Sequence, residues 1–308
     1  MCFCVADFGG LGQTGAMASI RELLEKPVGE LEILLLGRRN LPAGLLEALE
    51  NDSRRGARAL VRKIRNARLA NRRESRRLQR LERFEEDLWA QGVALVAGVD
   101  EAGVSPLAGP VVAGAVILPR KCKIRGLDDS KKIPTEARRE DLASEIKRRA
   151  VCWASGRAEV EEIDSLNIYH AALLAMRRAL EGLSVAPDFV LVDARRIPYC
   201  PYPQRGIIHG DALSSSIAAA SIIAKTTRDA CMHGLDKLYP GYGFADHKGY
   251  PTAGHRKMLK ELGASPVHRR SYALVRQALG LDPLQGELFE SIAEVGQPGR
   301  EEEAAPGR

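Results

Sequence analysis

The amino-acid sequence predicts an α/β fold, in which a central mixed sheet is flanked by helices and preceded by a small all-helical segment. Short apolar runs rich in Val and bounded by Gly and Pro are typical of buried strands. Longer stretches with helical periodicity lie between these runs, and the chain before Gly92 contains helical patterns alone. Because strand and helix patterns alternate after Gly92, we expect a layered domain there.

The helical segment is expected to cover residues 17–91. Ser19-x-x-Glu22 has the spacing of a capping box, which marks the beginning of a helix. Apolar residues then recur at helical spacing, namely Ala57, Leu60, Val61, Ile64 and Ala67. The Gly-rich residues 1–16 show no such periodicity, and we expect them to be disordered or to precede a natural start at Met17.

Residues 92–282 are predicted to form the α/β domain together with C-terminal helices. The predicted strands are residues 93–100, 111–118, 151–158 and 189–193. The predicted helices are residues 135–150, 165–183 and 214–238, followed by further helices. The last segment, residues 283–308, is rich in Glu, Pro and Gly, so we expect a disordered tail.

The positive charge of the protein resides in one segment of the helical extension. Between Arg54 and Arg83 there are thirteen Arg or Lys residues against two Glu, so the segment carries +11 while the whole chain carries +6. A concentrated basic block of this kind favours binding to nucleic acid. A solvated basic helix without a partner is the alternative interpretation.

Composition excludes several classes of protein. No stretch approaches the ~20 apolar residues of a membrane-spanning helix, and the first residues lack the features of a secretory signal. The six cysteines include no C-x-x-C pair, so neither a zinc ribbon nor a disulfide framework is predicted. Cys2 and Cys4 could contact one metal ion, but we interpret all six as isolated thiols. We therefore expect a cytoplasmic monomer without a membrane segment.

Acidic residues occur where predicted strands end. Asp100 and Glu101 close one apolar run, and Asp193 closes another. Ligands of open α/β sheets gather outside strand ends, so these carboxylates are candidates for one site. Asp211 comes just before the helix that begins near Ser214, where the positive end of the helix dipole favours a carboxylate. Asp100 or Asp211 could instead simply cap a helix or turn.

Carboxylates drawn together need a cation to offset their repulsion. Oxygen ligands without accompanying Cys or His favour Mg²⁺ or Mn²⁺ over zinc. Two such ions roughly 3.5–4 Å apart would activate water and stabilise the leaving oxygen in phosphodiester cleavage. Adjacent strand residues point to opposite faces, so Asp100 and Glu101 share a site only if the strand ends there or Glu101 bends back. The pattern thus indicates metal-dependent phosphodiester chemistry.

Five blocks within residues 94–279 stand out as motifs: Gly98-Val99-Asp100-Glu101-Ala102-Gly103 with Pro106-Leu107-Ala108-Gly109-Pro110, Leu127-Asp128-Asp129-Ser130-Lys131-Lys132, Asn167-Ile168-Tyr169-His170-Ala171, the run from Gly210-Asp211 to Arg228-Asp229, and His247-Lys248-Gly249-Tyr250. These blocks resemble, in the same order, the motifs of the type 2 ribonuclease H family (ribonuclease HII). Several matched blocks in register are far more specific than any one of them. The helical, basic extension also resembles the one found on some bacterial members.

The resemblance implies a ribonuclease H-like fold and a metal site of four carboxylates, which here are Asp100, Glu101, Asp193 and Asp211. It further implies an endonuclease that uses Mg²⁺ or Mn²⁺ to hydrolyse the RNA strand of RNA–DNA hybrids. The expected products carry 3′-hydroxyl and 5′-phosphate ends. The same resemblance implies incision at single ribonucleotides embedded in DNA.

Three further residues are candidates for contacts with substrate. Tyr250 matches the tyrosine that stacks on a sugar beside the cleavage point, although a packed or surface aromatic is the alternative. Lys131 and Lys132 suit phosphate contacts, because lysines supply charge without reading bases. A solvated lysine pair is the alternative there.

One block departs from the family pattern. Where the family usually has Gly-Arg-Gly, which reads the ribose 2′-hydroxyl at an RNA–DNA junction, this chain has Gly103-Val104-Ser105. Val104 carries no charge and resists positive φ, and Ser105 is pushed toward an extended backbone by Pro106. We expect the metal site to survive this change, and backbone groups could still contact the 2′-hydroxyl.

Two other functions stay open on the sequence alone. A different nuclease on the same carboxylate scaffold would cut duplexes made only of DNA, because fold does not fix function. A catalytically weak or silent nucleic-acid-binding protein would explain Val104 and the basic extension, although all four acidic residues are present.

Overall fold

The computed structural model of the protein describes residues 19–38 and 40–281, so the predictions for residues 1–16 and 283–308 lie outside the described residues. Its contacts divide the chain into two units, Met1–Arg77 and Leu78–Arg308. Among the described residues, no helix is both long enough and apolar enough to cross a membrane.

The first unit is helical, as predicted. Its helices are α1 (Ile20–Leu24), α2 (Val28–Leu35), α3 (Leu45–Glu50) and the greater part of α4 (Arg55–Leu81). The predicted capping box is present, since Ser19 Oγ accepts from the Glu22 N–H and Glu22 Oε2 accepts from the Ser19 N–H. Arg54 donates to the carbonyls of Leu24 and Lys26, and its hydrogen bond to Asp52 lowers the pKa of that carboxyl to about 2.

The second unit contains the sheet. In chain order its elements are α5 (Arg83–Ala90), β1 (Val96–Ala102), β2 (Val111–Ile117), α6 (Glu136–Arg149), β3 (Cys152–Ala158), α7 (Val160–Leu166), α8 (Ile168–Glu181), β4 (Phe189–Asp193), β5 (Gln204–Ile207), a 3-10 turn (Gly210–Ala212), α9 (Ser215–Leu238), α10 (Phe244–His247), α11 (Ala253–Leu262) and α12 (Ala273–Ala278). The strand order is β3-β2-β1-β4-β5. The first three strands pair antiparallel, while β1, β4 and β5 run parallel, so the prediction of a mixed sheet is confirmed.

Helices cover both faces of this sheet. On one face, Ala97 and Val99 of β1 join a buried cluster with Met176 of α8. On the other face, Gly98 lies directly against α9, where an added Cβ would overlap the backbone of Ser216. The alternation along β1 therefore assigns odd-numbered residues to the α8 side and even-numbered residues to the α9 side.

Three predictions about the elements need correction. The predicted helix 165–183 is two helices, because Asn167 breaks the path with φ 68° and its side chain accepts from the His170 N–H to begin α8. Strand β5 was not predicted, since its residues include no apolar run and its central pair is exposed. Strand β1 does not end at Asp100 but continues to Ala102, with Glu101 opposite Ala113.

We predict that Gly114→Ala destabilises the protein by about 1–3 kcal/mol, the usual cost of overpacking. A Cβ at Gly114 on β2 would overlap the carbonyl oxygen of Ala220 and lie 3.0 Å from the Ala224 nitrogen, so backbone would have to move. The measurement is urea unfolding followed by circular dichroism. Gly234→Ala, within α9 but with nothing within 4 Å, is the control and should be neutral or stabilising by about 0.5–1 kcal/mol. Equal stability of the two variants would refute close backbone packing of α9 on β2.

Candidate active site

Asp100 and Asp193 lie side by side on the α9 face of the sheet. Val99 of β1 is in register with Val192 of β4, so the next residues of these parallel strands, Asp100 and Asp193, are also neighbours. Asp100 is buried, its Oδ1 accepts from the Glu101 N–H at 2.7 Å, and Ser221 of α9 lies near its carboxylate. The parallel pairing thus brings together two carboxylates that are far apart in sequence.

The 3-10 turn brings Asp211 to the same edge of the sheet. Asp193 Oδ1 accepts from the Gly210 N–H at 2.7 Å, which ties this turn to the end of β4. His209 before the turn adopts the left-handed conformation with φ 57°, and this reverses the chain from β5 into α9. Lys131 Nζ lies 3.9 Å from Asp211 Oδ2, so the loop after Leu127 also reaches the site.

Glu101 occupies the opposite face, as strand alternation requires. It has the same parity as Ala97 and Val99, and its Oε1 forms an ion pair with Arg195 Nη2 at 3.1 Å. Its other oxygen, Oε2, is buried without a hydrogen-bond partner. Because β1 extends past Asp100, Glu101 contributes its charge to the edge of the site from the α8 side of the sheet.

Burial and mutual repulsion make this a strained electrostatic environment. Burial, followed by the charges of Glu101 and Asp193, raises the pKa of Asp100 well above its usual value. Burial also raises the pKa of Glu101, although the Arg195 charge opposes it. The pKa of Asp211 is raised by burial and then by the charges of Asp129 and Asp193. The site therefore holds more negative charge than its own cations offset.

A hard divalent cation fits these residues by their chemistry. Every donor at the edge is a carboxylate oxygen, the ligand that Mg²⁺ and Mn²⁺ prefer, and Glu101 Oε2 is a buried acceptor that lacks a partner. Among the described residues, no three Asp, Glu, His or Cys side chains are grouped closely enough to hold an ion as they stand. Arg195 and Lys131 lie against Glu101 and Asp211 and offset part of their charge.

The loop between β1 and β2 is held from beneath by two buried arginines. Arg269 donates to the carbonyls of Gly103 at 2.6 Å, Val104 at 2.9 Å and Gly109 at 2.9 and 3.0 Å. Arg228 of α9 donates to the carbonyls further along the same loop. Gly103 has φ 98°, and a Cβ there would overlap the Arg228 side chain. Both the conformation and the close approach therefore require glycine at this position.

The departure from the family pattern has a structural consequence in this loop. The Val104 side chain is half-buried and packs against the core on the α8 side, whereas Ser105 is exposed. Val104 thus adds to the core instead of offering a polar group to solvent. The Ser105 hydroxyl is the side-chain polar group that the departure leaves at the surface.

The remaining predicted residues lie at the surface near this loop. Tyr250 is 38% exposed, and its ring centroid lies 5.9 Å from the guanidinium carbon of Arg228. The Lys131 side chain is 81% exposed beside Asp211. Lys132 is also exposed and lies 3.7 Å from Asp128, so it is directed toward a neighbouring carboxylate in its own loop.

Sequence reasoning missed five residues that support the site. Arg195 pairs with Glu101, Asp129 adjoins Asp211, Glu85 accepts from Ser214 and Ser216 at the beginning of α9, and the two buried arginines hold the loop. Asp129 and Arg228 belong to family-like blocks, and Arg195 follows Asp193 by two residues, so these three could have been suspected. No local pattern marks the burial of Glu85 and Arg269.

Comparison with known proteins points to a single family. The protein-family model described as Ribonuclease HII matches residues 97–275, and that described as Ribonuclease HII N-terminal domain matches residues 30–89. The chain is 59% identical to Ribonuclease HII of Myxococcus xanthus (strain DK1622), over 88% of this chain and 95% of the relative. It is 58% identical to Ribonuclease HII of Anaeromyxobacter sp. (strain Fw109-5), over 93% and 92% of the two chains.

A solved structure supports the fold as well. The crystal structure of the ribonuclease H2 from Pyrococcus horikoshii OT3 matches with a TM-score of 0.52 at 28% identity, covering 60% of this chain and 96% of that chain. The prediction of a ribonuclease H-like fold, made from the sequence motifs, is therefore confirmed.

We predict that Asp100→Asn stabilises the metal-free protein at pH 7.5. A carboxyl whose pKa is raised in the folded state contributes to the free energy of unfolding. This contribution is fully present below the unfolded pKa of 3.8 and is lost as the pH rises through the folded pKa. The gain from Asn should therefore shrink toward pH 4.5, by at most ~1.4 kcal/mol for each pH unit between the folded and unfolded pKa values. Urea unfolding in EDTA at both pH values measures it. Exposed Asp87→Asn is the control, and a stability gain that does not depend on pH would contradict the argument.

Proposed function

Since the chain belongs to the ribonuclease HII family and is an endoribonuclease, we propose that it hydrolyses the RNA strand of RNA–DNA hybrids and incises DNA at embedded ribonucleotides. The products would carry 3′-hydroxyl and 5′-phosphate ends. The observation that carries this proposal is the convergence of Asp100, Asp193 and Asp211 at one edge of the sheet, with Glu101 beside them.

We assign Asp100, Glu101, Asp193 and Asp211 as the ligands of Mg²⁺ or Mn²⁺. Bound divalent ions would supply an activated water and neutralise charge on the leaving oxygen. The raised pKa values of Asp100 and Asp211 support this assignment, because burial of both carboxyls favours a nearby positive charge. Arg195 pairs with Glu101 and the Glu101 N–H donates to Asp100, so these two side chains are oriented before a substrate binds.

The surface next to the carboxylates suits a hybrid duplex. Lys131 and Lys132 extend from the loop beside Asp211, where their charges can contact backbone phosphates. The exposed ring of Tyr250 is available to stack on a sugar. Because Arg269 occupies the carbonyls of Gly103 and Val104, this loop would contact a 2′-hydroxyl through N–H groups or through Ser105.

We predict that Asp100→Asn and Asp211→Asn each abolish cleavage and leave the fold intact. Each change removes a negative ligand while creating no cavity in the core, so metal binding weakens without loss of packing. Purified variants would be incubated with Mg²⁺ or Mn²⁺ and labelled duplexes, namely a continuous hybrid, a duplex with one ribonucleotide and a duplex of DNA alone.

We expect the wild type to cleave the continuous hybrid and the duplex with one ribonucleotide at least two orders of magnitude faster than either variant does. The exposed substitution Asp87→Asn serves as the control. Wild-type rates in both variants would refute the assigned site, and cutting of the all-DNA duplex would favour a DNA nuclease instead. Analysis of the product ends tests the proposed 3′-hydroxyl and 5′-phosphate.

We predict that the basic segment, residues 54–83, strengthens nucleic-acid binding and contributes little to chemistry. Arg72, Arg73 and Arg76 of α4 are exposed. Each phosphate contact that is lost should reduce the slope of log affinity against log salt concentration by ~0.9. Replacing these three arginines with Gln should flatten the slope measured by fluorescence anisotropy. The control is the same charge change on α11, with Arg256, Lys257 and Lys260 replaced. An unchanged slope for the α4 variant would identify the segment as a solvated helix.

We predict that Val104 and Ser105 limit discrimination at a single ribonucleotide. A charge-assisted hydrogen bond to phosphate is worth roughly 1.5–3 kcal/mol, so its absence costs about one to two orders of magnitude in rate. A continuous hybrid can bind in many registers and should depend less on this interaction. The double variant Val104→Arg, Ser105→Gly should raise junction cleavage selectively.

Ser105→Gly alone is the control for that variant, and a melting curve checks that Arg is tolerated at the half-buried position of Val104. Equal rates of the double variant and the wild type on the single-ribonucleotide duplex would show that other residues read the 2′-hydroxyl.

A further inference from the structure

Two buried histidines form a hydrogen-bonded chain that ends at the backbone of Tyr250. His255 of α11 and His268 in the loop before α12 are 0% and 1% exposed. His255 Nδ1 lies 2.9 Å from the Tyr250 carbonyl oxygen, and His255 Nε2 lies 3.0 Å from His268 Nε2. His268 Nδ1 in turn lies 3.0 Å from the Ser265 backbone nitrogen. Each ring nitrogen therefore has a partner.

These partners fix the tautomer of both rings. The Ser265 N–H can only donate and the Ser265 hydroxyl, 2.8 Å from the same ring nitrogen, can donate as well, so His268 Nδ1 is the acceptor and its proton resides on Nε2. That Nε2–H donates to His255 Nε2, which leaves the His255 proton on Nδ1. The Tyr250 carbonyl can only accept, and the His255 Nδ1–H is available to it. The chain of donors runs in one direction from Ser265 to Tyr250.

The electrostatics of the pair agree with this arrangement, which requires two neutral rings. Burial lowers the pKa of His255. Burial, followed by the charge of His255, lowers the pKa of His268 to about 4. Both rings consequently remain neutral near pH 7, with one donor and one acceptor each.

The Tyr250 segment is fixed through its backbone and hardly through its ring. Three successive carbonyls accept hydrogen bonds. Arg228 donates to the Lys248 carbonyl at 3.0 Å, the Leu107 N–H donates to the Gly249 carbonyl at 2.8 Å, and His255 donates to the Tyr250 carbonyl. The Thr252 N–H also donates to the Tyr250 carbonyl at 2.8 Å. The Tyr250 ring is 38% exposed. Its direction is therefore set mainly by the backbone that these donors hold.

We propose that His255 and His268 are positioning residues, which orient Tyr250 toward the sugar of the substrate by a directed hydrogen-bond chain. This inference rests on the proposed function of Tyr250. Both histidines act through the backbone of another residue and not on the substrate itself. The chain connects the helical region after α10 to the substrate surface.

The first test is spectroscopic and needs neither substrate nor metal. In ¹⁵N-labelled wild-type protein at pH 7.5, long-range ¹H–¹⁵N spectra of the imidazoles distinguish the two tautomers. We expect His255 as the Nδ1–H form, which is the minor form of free histidine, and His268 as the Nε2–H form. An Nε2–H tautomer at His255 would overturn the proposal, whatever the enzyme cleaves.

The second test uses a matched pair of substitutions at one position. An Asn amide reaches the place of His Nδ1, whereas a Gln amide reaches the place of Nε2. His255→Asn therefore keeps a donor for the Tyr250 carbonyl and loses the link to His268, and His255→Gln does the reverse. We expect kcat/KM on a hybrid to be about five- to tenfold lower for Gln than for Asn, the effect of about one hydrogen bond.

The same pair is then compared in a Tyr250→Ala background, where the difference between Asn and Gln should disappear. A difference that persists without the Tyr250 ring, or equal losses in the wild-type background, would assign His255 a packing role only and overturn the proposal. Thermal melting of all variants separates unfolding from mispositioning. If the wild type cleaves no hybrid, the proposed function fails, and the tautomer spectra still decide on the histidine chain.

Discussion

The close contact between α9 and the sheet is the constraint on which the site depends. Gly98 and Gly114 remove all side-chain volume between β1, β2 and the helix, so the backbones touch. At that distance the 3-10 turn before α9 is hydrogen-bonded to Asp193 at the end of β4, and Ser221 lies near Asp100. Two turns further, Arg228 lies under the β1–β2 loop. One helix thereby sets the relative positions of the acidic edge and the loop proposed to contact substrate.

The site concentrates unfavourable electrostatics that the surrounding core has to offset. Three carboxyls have raised pKa values because burial penalises their charged forms. Beneath the neighbouring loop, Arg228 and Arg269 are almost fully buried, and burial lowers the pKa of Arg228 to about 10. Their hydrogen bonds go to backbone carbonyls, which compensate for lost water but supply no full counter-charge. The uncompensated negative charge of the carboxyls favours a bound cation, and the uncompensated positive charge of the arginines favours a nearby polyanion.

In both loops that are proposed to contact substrate, backbone carbonyls accept from buried side chains. Arg269 fixes the Gly103 segment, and Arg228 contacts both this segment and the carbonyl of Lys248. The histidine pair fixes the carbonyl of Tyr250. Because the holding groups act on the backbone, side chains such as half-buried Val104 and exposed Ser105 can change while the loop path persists. This explains how the loop can depart from the family's Gly-Arg-Gly pattern while all four carboxylates are present.

The sequence by itself determined the mixed α/β fold, the helical extension and the four candidate carboxylates, because periodicity and motif order are local properties of the chain. It missed β5, which contains a single apolar residue, Ile207, and is recognisable only through its pairing with β4. It also left open how adjacent Asp100 and Glu101 are arranged. Tertiary structure decided that point through the pairing of β1 beyond Asp100, which directs Glu101 to Arg195 on the other face. Burial, partners and tautomers arise from contacts between distant segments, and no local pattern contains them.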